Sequence, residues 1–554
     1  MKKTKVFALF IVLVMMFSLA ACGGGSQTSQ TTSPQTTSPQ NTGSPGTATT
    51  TTGTPPANTE TSPTSAPAPS TGTTLSILYD RTEPTGLMIQ AASNGATNLG
   101  TALFATLTTY NAETRQADQG LATSWEWVDD THCRFHLRDD VTAYDGTTKL
   151  TADDVVFTIE YGAQGTQNNY QTIFDPSQCK AEDEHTVVIG LKKVYGDLPL
   201  MLTMSVYGIM SKSLAENICG GSDDYSALLR NPNCGFGMYT LKEWVEGDHI
   251  LLQRNEHYYD AANMPFYQFI RVEWNTDFSA RFLALQSGQY DVVYNLNFTQ
   301  KQMLDSSSDL TYSAVGYNST FALYLNTQYG ALADQNVRNA ISYAIDKATI
   351  AKTVTGGLVG PVDTFISSNS LWYYGDQTVP FDSGKAKELL AGYTPEQLTF
   401  NILGISEYEP ELTMIKAMLA DVGITINIQF MEFSAINSNL KNGDYQIYMT
   451  EIFGFDVGRL LLRIDGRETL ASASGGCQYN DDYLNSLIDI VNSSTDFNAR
   501  YNAMVEIQKI LMDTSIVIGL RDVMLSAGHR SDITGMTNDA QGNAVFQTWR
   551  PVMS

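Results

Sequence analysis

Histidine, cysteine and cationic side chains are scarce in this chain. Its 554 residues carry six His, six Cys and 33 Lys plus Arg against 58 Asp plus Glu, a formal net charge of −25. There is no CxxC, no Cys/His cluster and no H-E-x-x-H, so zinc sites of those types are excluded and no cofactor is expected. A G-x-S-x-G nucleophile elbow is missing too, and no catalytic residue stands out. So large an acidic excess argues against binding nucleic acid or an anionic membrane through the globular part. With this many carboxylates some acidic pair is always at hand, so their number alone points to no chemistry. The apolar run Val6–Phe17 is about a dozen residues long, too short for a comfortable membrane span.

That run has the length of a signal-peptide core, and Lys2, Lys3 and Lys5 supply its positive flank. It ends in Leu19-Ala20-Ala21-Cys22, which resembles the bacterial lipoprotein box. The resemblance implies a lipid anchor on Cys22 and a protein held at the membrane facing away from the cytoplasm, at the extracellular surface or in the periplasm. Residues 23–72 are Ser, Thr, Gln, Pro and Gly with almost nothing apolar, a composition that does not offset its ordering entropy. As a disordered coil the segment reaches roughly 40 Å, enough for a tether. An exported domain permits disulfides among Cys133, Cys179, Cys219, Cys234 and Cys477. Cys219 and Cys234 would close a short loop, but the odd count leaves one thiol over and the pairing stays open.

The folded part opens on TLSILYD, where Leu75, Ile77 and Tyr79 alternate as in a strand. In HCRFHLR, Cys133, Phe135 and Leu137 point one way and His132, Arg134, His136 and Arg138 the other. No third ligand is near the two histidines, so that face reads as solvated or hydrogen-bonded. NVRNAISYAIDKATIAKTV puts Val337, Ile341, Ala344, Ile345 and Ala348 on one stripe, which predicts an amphipathic helix N-capped by Asp334. ELTMIKAMLADVG predicts a helix stopped by Gly423, followed by a strand in which Ile424, Ile426, Ile428 and Phe430 alternate. A further helix starts after Asp496. Alternating helices and strands place the chain in the α/β class with mixed sheets. In DGTTKLTADDVVFTIEYG, Thr151 and Asp154 have capping-box spacing. Adjacent helical side chains diverge by about 100°, so Asp153 and Asp154 start a helix rather than share a proton or a metal.

Two blocks in this order resemble a known family. The first is Leu121-Ala122-Thr123-Ser124-Trp125, then Phe135-His136-Leu137-Arg138, Val141, Asp145-Gly146 and Thr151 to Phe157. The second is Gly235 to Tyr239, Leu241, Trp244, Gly247, Ile250, Leu252, Arg254-Asn255 and Tyr258, followed by Leu285 to Gly288 with Asp291, Leu325-Asn326-Thr327, and Val337-Arg338-Asn339-Ala340 to Asp346. They are similar to the bacterial extracellular solute-binding proteins of family 5, the peptide/nickel type that serves ABC importers. The resemblance implies a two-lobed periplasmic-binding-protein fold (type II, cluster C) with an extra subdomain inserted in lobe I. Mapped on this chain, 1–21 is the lipoprotein signal peptide and 22–73 the lipidated Cys and linker. Lobe I takes 74–111, 200–316 and 515–554, the inserted subdomain 112–199, and lobe II 317–514.

The same resemblance implies a monomer that captures a small solute, most directly an oligopeptide, by hinge closure, and hands it to ABC permease subunits. In the family's peptide binders an acidic residue in the loop after G-D-x-D pairs with the ligand's amino terminus. Here Gln446 replaces the aspartate of that run and EIFGFDVGR replaces the usual loop, with Asp456 near the acidic position. The expected ligand contacts are Tyr79, Asp80 and Arg81 from lobe I, and Trp372, Tyr373, Phe453, Phe455, Asp456 and Arg459 from lobe II. Aromatic rings supply flat walls, and an Asp and an Arg suit the two ends of a zwitterion. Arg281 suits the cationic role as well, but its position reads as a helix face. The alternatives are a binding lipoprotein for a metal chelate, heme, sugar or opine, a partner of a sensor, and, from another class, an exported hydrolase.

Overall fold

The computed structural model describes residues 74–88, 97–165, 168–454, 457–470, 475–539 and 542–552, all within one unit, Ser65–Ser554. The expected signal peptide, Cys22 and linker lie outside the described residues. The chain enters with β1 (Thr74–Tyr79) and a hairpin of β2 (Thr108–Asn111) and β3 (Gln116–Gln119). A small sheet follows, built from β4 (Ala122–Asp129), β5 (His132–Leu137), β6 (Lys180–Asp183) and β7 (Thr186–Gly190) in the order β4-β5-β7-β6. Then come β8 (Tyr239–Val245), β9 (His249–Arg254), β10 (Phe269–Trp274), β11 (Val292–Tyr294) and the long β12 (Leu310–Leu325). Four more are β13 (Thr399–Gly404), β14 (Thr425–Phe430), β15 (Ile447–Phe453) and the long β16 (Val517–Arg530), and two-residue strands at Ile533–Thr534 and Arg550–Pro551 pair after them.

Ten of these strands form one mixed sheet in the order β14-β13-β15-β12-β16-β11-β1-β10-β9-β8. Only β12 and β16 run through both of its halves. Leu310–Gly316 pairs with Arg530–Met524 beside β11, and Thr320–Tyr324 pairs with Asp522–Val517 beside β15. The register shifts between Gly316 and Thr320, so Tyr317, Asn318 and Ser319 lack β16 partners there. One apolar core lies under the first half and continues beneath the small sheet. Two more cover the opposite faces of the second half.

Local chemistry explains the helix starts. Asp277, Asp334, Asp346, Asp382, Asp481 and Asp496 each accept a first-turn N–H as N-caps. A cap of this kind stabilises by about 1 kcal/mol, so part of the acidic excess is structural. The helix expected to run on from Asp334 is in fact two, Gln335–Ala344 and Lys347–Thr355. Ile345 is extended and Asp346 caps the second helix, which leaves Ala348 exposed and buries Lys347 and Ile350 instead. Asp154 joins the helix Ala152–Gln164 to its surroundings: its carboxylate accepts from Thr151 N at 2.8 Å, Thr151 Oγ1 at 3.0 Å and Lys212 N at 2.7 Å. Burial pushes the Asp154 carboxyl up, while Asp153 stays on the surface.

All five cysteines beyond Cys22 are free thiols in this structure, four of them buried. No helix among the described residues is long and apolar enough to cross a membrane. None of their His, Cys, Asp and Glu side chains form a group of three fit to hold a metal ion.

Candidate functional site

The ladder break in β12 sits where the two halves of the sheet face each other. A narrow space there is walled on one side by Tyr110, Arg115, Leu200 and Thr203 and on the other by Asn318, Ser370, Leu371, Trp372 and Gly454. Its volume is about 10 Å³, room for about one water.

Each wall is fixed from its own half. The β2–β3 turn closes through Arg115 N to Asn111 O (2.7 Å), with Arg115 in the left-handed region at φ 59°. From that turn Arg115 Nη1 crosses the space and donates to Ser370 O at 3.0 Å. Leu200 sits in the short helix Leu198–Met201, held when Thr108 Oγ1 donates to Pro199 O at 2.6 Å. Asp197, at the start of that helix, meets Arg500 on the helix Phe497–Thr514 in a bidentate pair. The distances are 2.7 and 2.6 Å, and both side chains are less than a tenth exposed. Gly196 permits this approach, because a Cβ there would stand 2.5 Å from Ser494 O. Arg500 also donates from Nε to Val491 O and lies 4.8 Å from the Trp372 ring.

Trp372 is held when Gln508 Nε2 donates to its carbonyl at 2.8 Å. Its indole N–H and the Asn318 Oδ1 are both buried without a hydrogen-bond partner. Two residues that line the space therefore carry one unmatched donor and one unmatched acceptor, and such groups are costly unless something pairs with them. Gly454 donates to Asn318 O at 2.7 Å, and any Cβ at 454 would stand 2.4 Å from Asn318 Oδ1.

The strands at the break carry two polar clusters. Asp522 accepts from Ser367 Oγ (2.8 Å), Ser368 N (3.0 Å) and Ser368 Oγ, and burial raises its carboxyl above the usual range against those bonds. Tyr317 donates to the Glu451 carboxylate, which also accepts from Ser319 Oγ at 2.9 Å. Burial and the Glu451 charge push the Tyr317 phenol up.

Of the residues expected from sequence, Trp372 lines the space. Phe453 is half-exposed with its ring 6.3 Å from Tyr317, and Arg81 lies near enough to Tyr317 to favour its phenolate. Asp80 accepts from Asn295 Nδ2 at 2.8 Å and stands 3.7 Å from Arg81. Tyr79 is part of the core instead, stacked on Tyr294 with ring centres 4.7 Å apart. Tyr373 packs partly buried against the second-half core. Phe455 and Asp456 lie outside the described residues, as does the side chain of Arg459, whose backbone belongs to the helix Val457–Leu461. Arg281 lies on the helix Phe278–Gln286, on its buried face, and donates to Asn275 O (2.9 Å) and Asn295 O (3.3 Å). Sequence reading missed Tyr110, Arg115, Asn318 and Ser370.

Residues 116–457 match the family described as bacterial extracellular solute-binding proteins, family 5 Middle. The chain belongs to this family. Its members are binding proteins of ABC importers rather than enzymes. A dipeptide-binding protein of Escherichia coli (strain K12) is 24% identical over 500 residues, 84% of this chain and 92% of that protein. The probable D,D-dipeptide-binding periplasmic protein DdpA of the same strain is 25% identical over 337 residues, 59% of this chain. That match spans 63% of DdpA, less than two thirds of its length. Among solved structures, the ABC transporter substrate binding protein CtaP from Listeria monocytogenes is similar with a TM-score of 0.76 at 20% identity. The likeness covers 87% of this chain and 100% of that one, and it shows the fold: the mixed α/β architecture of type II periplasmic binding proteins.

Proposed function

We propose that this family 5 protein captures a small oligopeptide outside the cytoplasm and presents it, closed, to ABC permease subunits. In this reading lobe I comprises 74–111, 200–316 and 523–554, lobe II comprises 317–522, because Val517–Asp522 pairs with Thr320–Tyr324 of the second half, and 112–199 is the inserted subdomain. The three residues of β12 without β16 partners, Tyr317 to Ser319, and the facing part of β16 serve as the hinge. The single observation that carries the reading is the space shared by both halves, with an unmatched donor at Trp372 and an unmatched acceptor at Asn318. A peptide brings both complements in every residue, an N–H for Asn318 and a C=O for the indole N–H. Arg115 supplies a cation suited to a terminal carboxylate. A ligand touching both walls binds the closed form better and shifts the population towards it. The remaining expected contacts, Asp80, Arg81, Tyr373, Phe453, Phe455, Asp456 and Arg459, are proposed to border the same cleft. A lipid on Cys22 would hold the monomer at the membrane, with the linker as its tether.

The test is a thermal-shift screen of residues 74–554 against di- to pentapeptides, sugars, opines and metal chelates, together with mass spectrometry of any co-purified ligand. A ligand at 100 times its Kd adds about 2.7 kcal/mol of stability. Peptides that raise the melting temperature without being cleaved support the reading. Stabilisation by sugars, opines or chelates alone, or turnover of the peptide, would sink it.

A further inference from the structure

Beside the cleft lies a larger cavity of about 260 Å³, contained in the first half of the molecule. Tyr110 and Thr203 line both spaces, so the two share a wall. Its floor is aromatic and apolar, from Phe104, Met238, Tyr258, Tyr259 and Val545. The Tyr258 and Tyr259 rings are tilted by 52° with centres 4.7 Å apart, and the Arg138 guanidinium covers the Tyr259 ring at 5.1 Å. Its polar rim is hydroxyl and amide, including Ser205, Asn538 and Gln547. Among the described residues no Lys, Arg or His lines it, and its one charged group, Asp539, already accepts from Asn543 N at 2.8 Å and Asn543 Nδ2 at 3.0 Å.

Size and lining select the occupant. A dry cavity of about 150 Å³ takes benzene, so the larger volume here admits a phenol or an indole. Aromatic walls with a hydroxyl rim suit a ring that carries at most a neutral polar tip. An anionic side chain would meet Asp539, and a cationic one would have to give up its water for a carboxylate already engaged by Asn543. We propose that this cavity is a specificity pocket for one aromatic or large apolar side chain of the ligand held in the adjoining cleft. The proposal rests on the peptide reading above and adds to it a class of ligand, peptides with a bulky uncharged residue at one position.

The test is calorimetric titration of the protein with tripeptides Ala-X-Ala and X-Ala-Ala, X being Gly, Leu, Phe, Trp, Lys or Glu. At one position Phe and Trp bind at least about tenfold tighter than Gly, as burial of a ring requires, and Lys and Glu bind no tighter than Gly. Val545→Trp, which fills the cavity from its floor, brings the Phe-to-Gly ratio to near one. Thr109→Trp, at an exposed lining position, does the same should Val545→Trp lower the melting temperature. Equal affinities for Gly and Phe at both positions overturn the pocket while leaving the peptide reading intact, and so does a ratio that survives both fillings. If no tripeptide binds and no di- to pentapeptide stabilises the protein, the peptide reading fails. Indole alone then decides the cavity: saturable binding that Val545→Trp abolishes supports it as an aromatic site, and no binding overturns it.

Discussion

Two buried ion pairs of the same chemistry sit on the two sides of one boundary. Arg521 and Glu411 pair inside the second half, with the Arg521 guanidinium over the Phe321 ring at 4.4 Å. Arg500 and Asp197 pair between the second half and the first. Both are almost fully shielded here, and neither earns stability merely by existing, because desolvation offsets most of the attraction. They differ in what the proposed hinge motion would do to them. In that reading the Arg521–Glu411 pair stays where it is, whereas Asp197 and Arg500 part on opening and water replaces each partner. The first pair would then belong to the fold and the second to a state of the fold, although distance and burial alone do not separate them.

That contrast breaks most sharply at Glu411. Glu411→Ala strands a buried guanidinium and is expected to cost about 3–5 kcal/mol in urea denaturation, whereas replacing both partners by Met recovers most of the loss. A cost below about 1 kcal/mol would show that the pair is solvated in solution. Asp154→Ala, another group settled inside one half, removes three accepted hydrogen bonds and is expected to cost about 2 kcal/mol by the same measurement. Asp197→Ala should cost less in global stability and act on shape instead. A tenfold shift in the closed-to-open ratio, about 1.4 kcal/mol, would appear as a larger radius of gyration in small-angle scattering. No change in shape would make the Arg500 pair as structural as the first.

Acid provides a gentler test inside the first half. His529 accepts from Ser313 Oγ at 2.7 Å through Nε2 and donates from Nδ1 to Arg530 O at 2.7 Å, and burial holds its pKa below the ordinary histidine value. The unfolded chain therefore binds this proton more readily. The stability His529 contributes is complete above pH about 6.5 and falls as the pH drops towards the folded value. Melting temperature should fall less between pH 7 and pH 5 in His529→Gln than in the unmodified protein. The smallest effect belongs to the exposed Asp153, where Asp153→Ala should stay within about 0.5 kcal/mol and leave ligand binding unchanged.

What could be read from sequence was local. Alternation placed Cys133, Phe135 and Leu137 inward, spacing exposed the Thr151–Asp154 cap, and Asp334 and Asp496 marked helix starts because a cap needs only its next three residues. The break at Ile345 was legible too, since Asp346 is followed by a first turn it can cap, but the continuous apolar stripe hid it. The site was another matter. Arg115 meets Ser370 across 255 positions and Asp197 meets Arg500 across 303, so no window of sequence contains either contact. Tyr79 shows the converse error: a polar-tipped ring at the end of a strand reads as a wall, but the facing Tyr294 makes it core.

The position of β16 also constrains how the molecule is made. It lies between β11 and β12, yet it is the last long strand in the chain. While a nascent chain lacks residues 523–530, β11 and the early part of β12 have no common neighbour, and both show unpaired backbone edges. The second half, by contrast, has all its other strands by residue 453. Synthesis from the N-terminus thus supplies the second half with its own part of β16, Val517–Asp522, before the first half receives the rest of that strand. The first half must wait, open and prone to wrong pairing, for the closing strand to arrive.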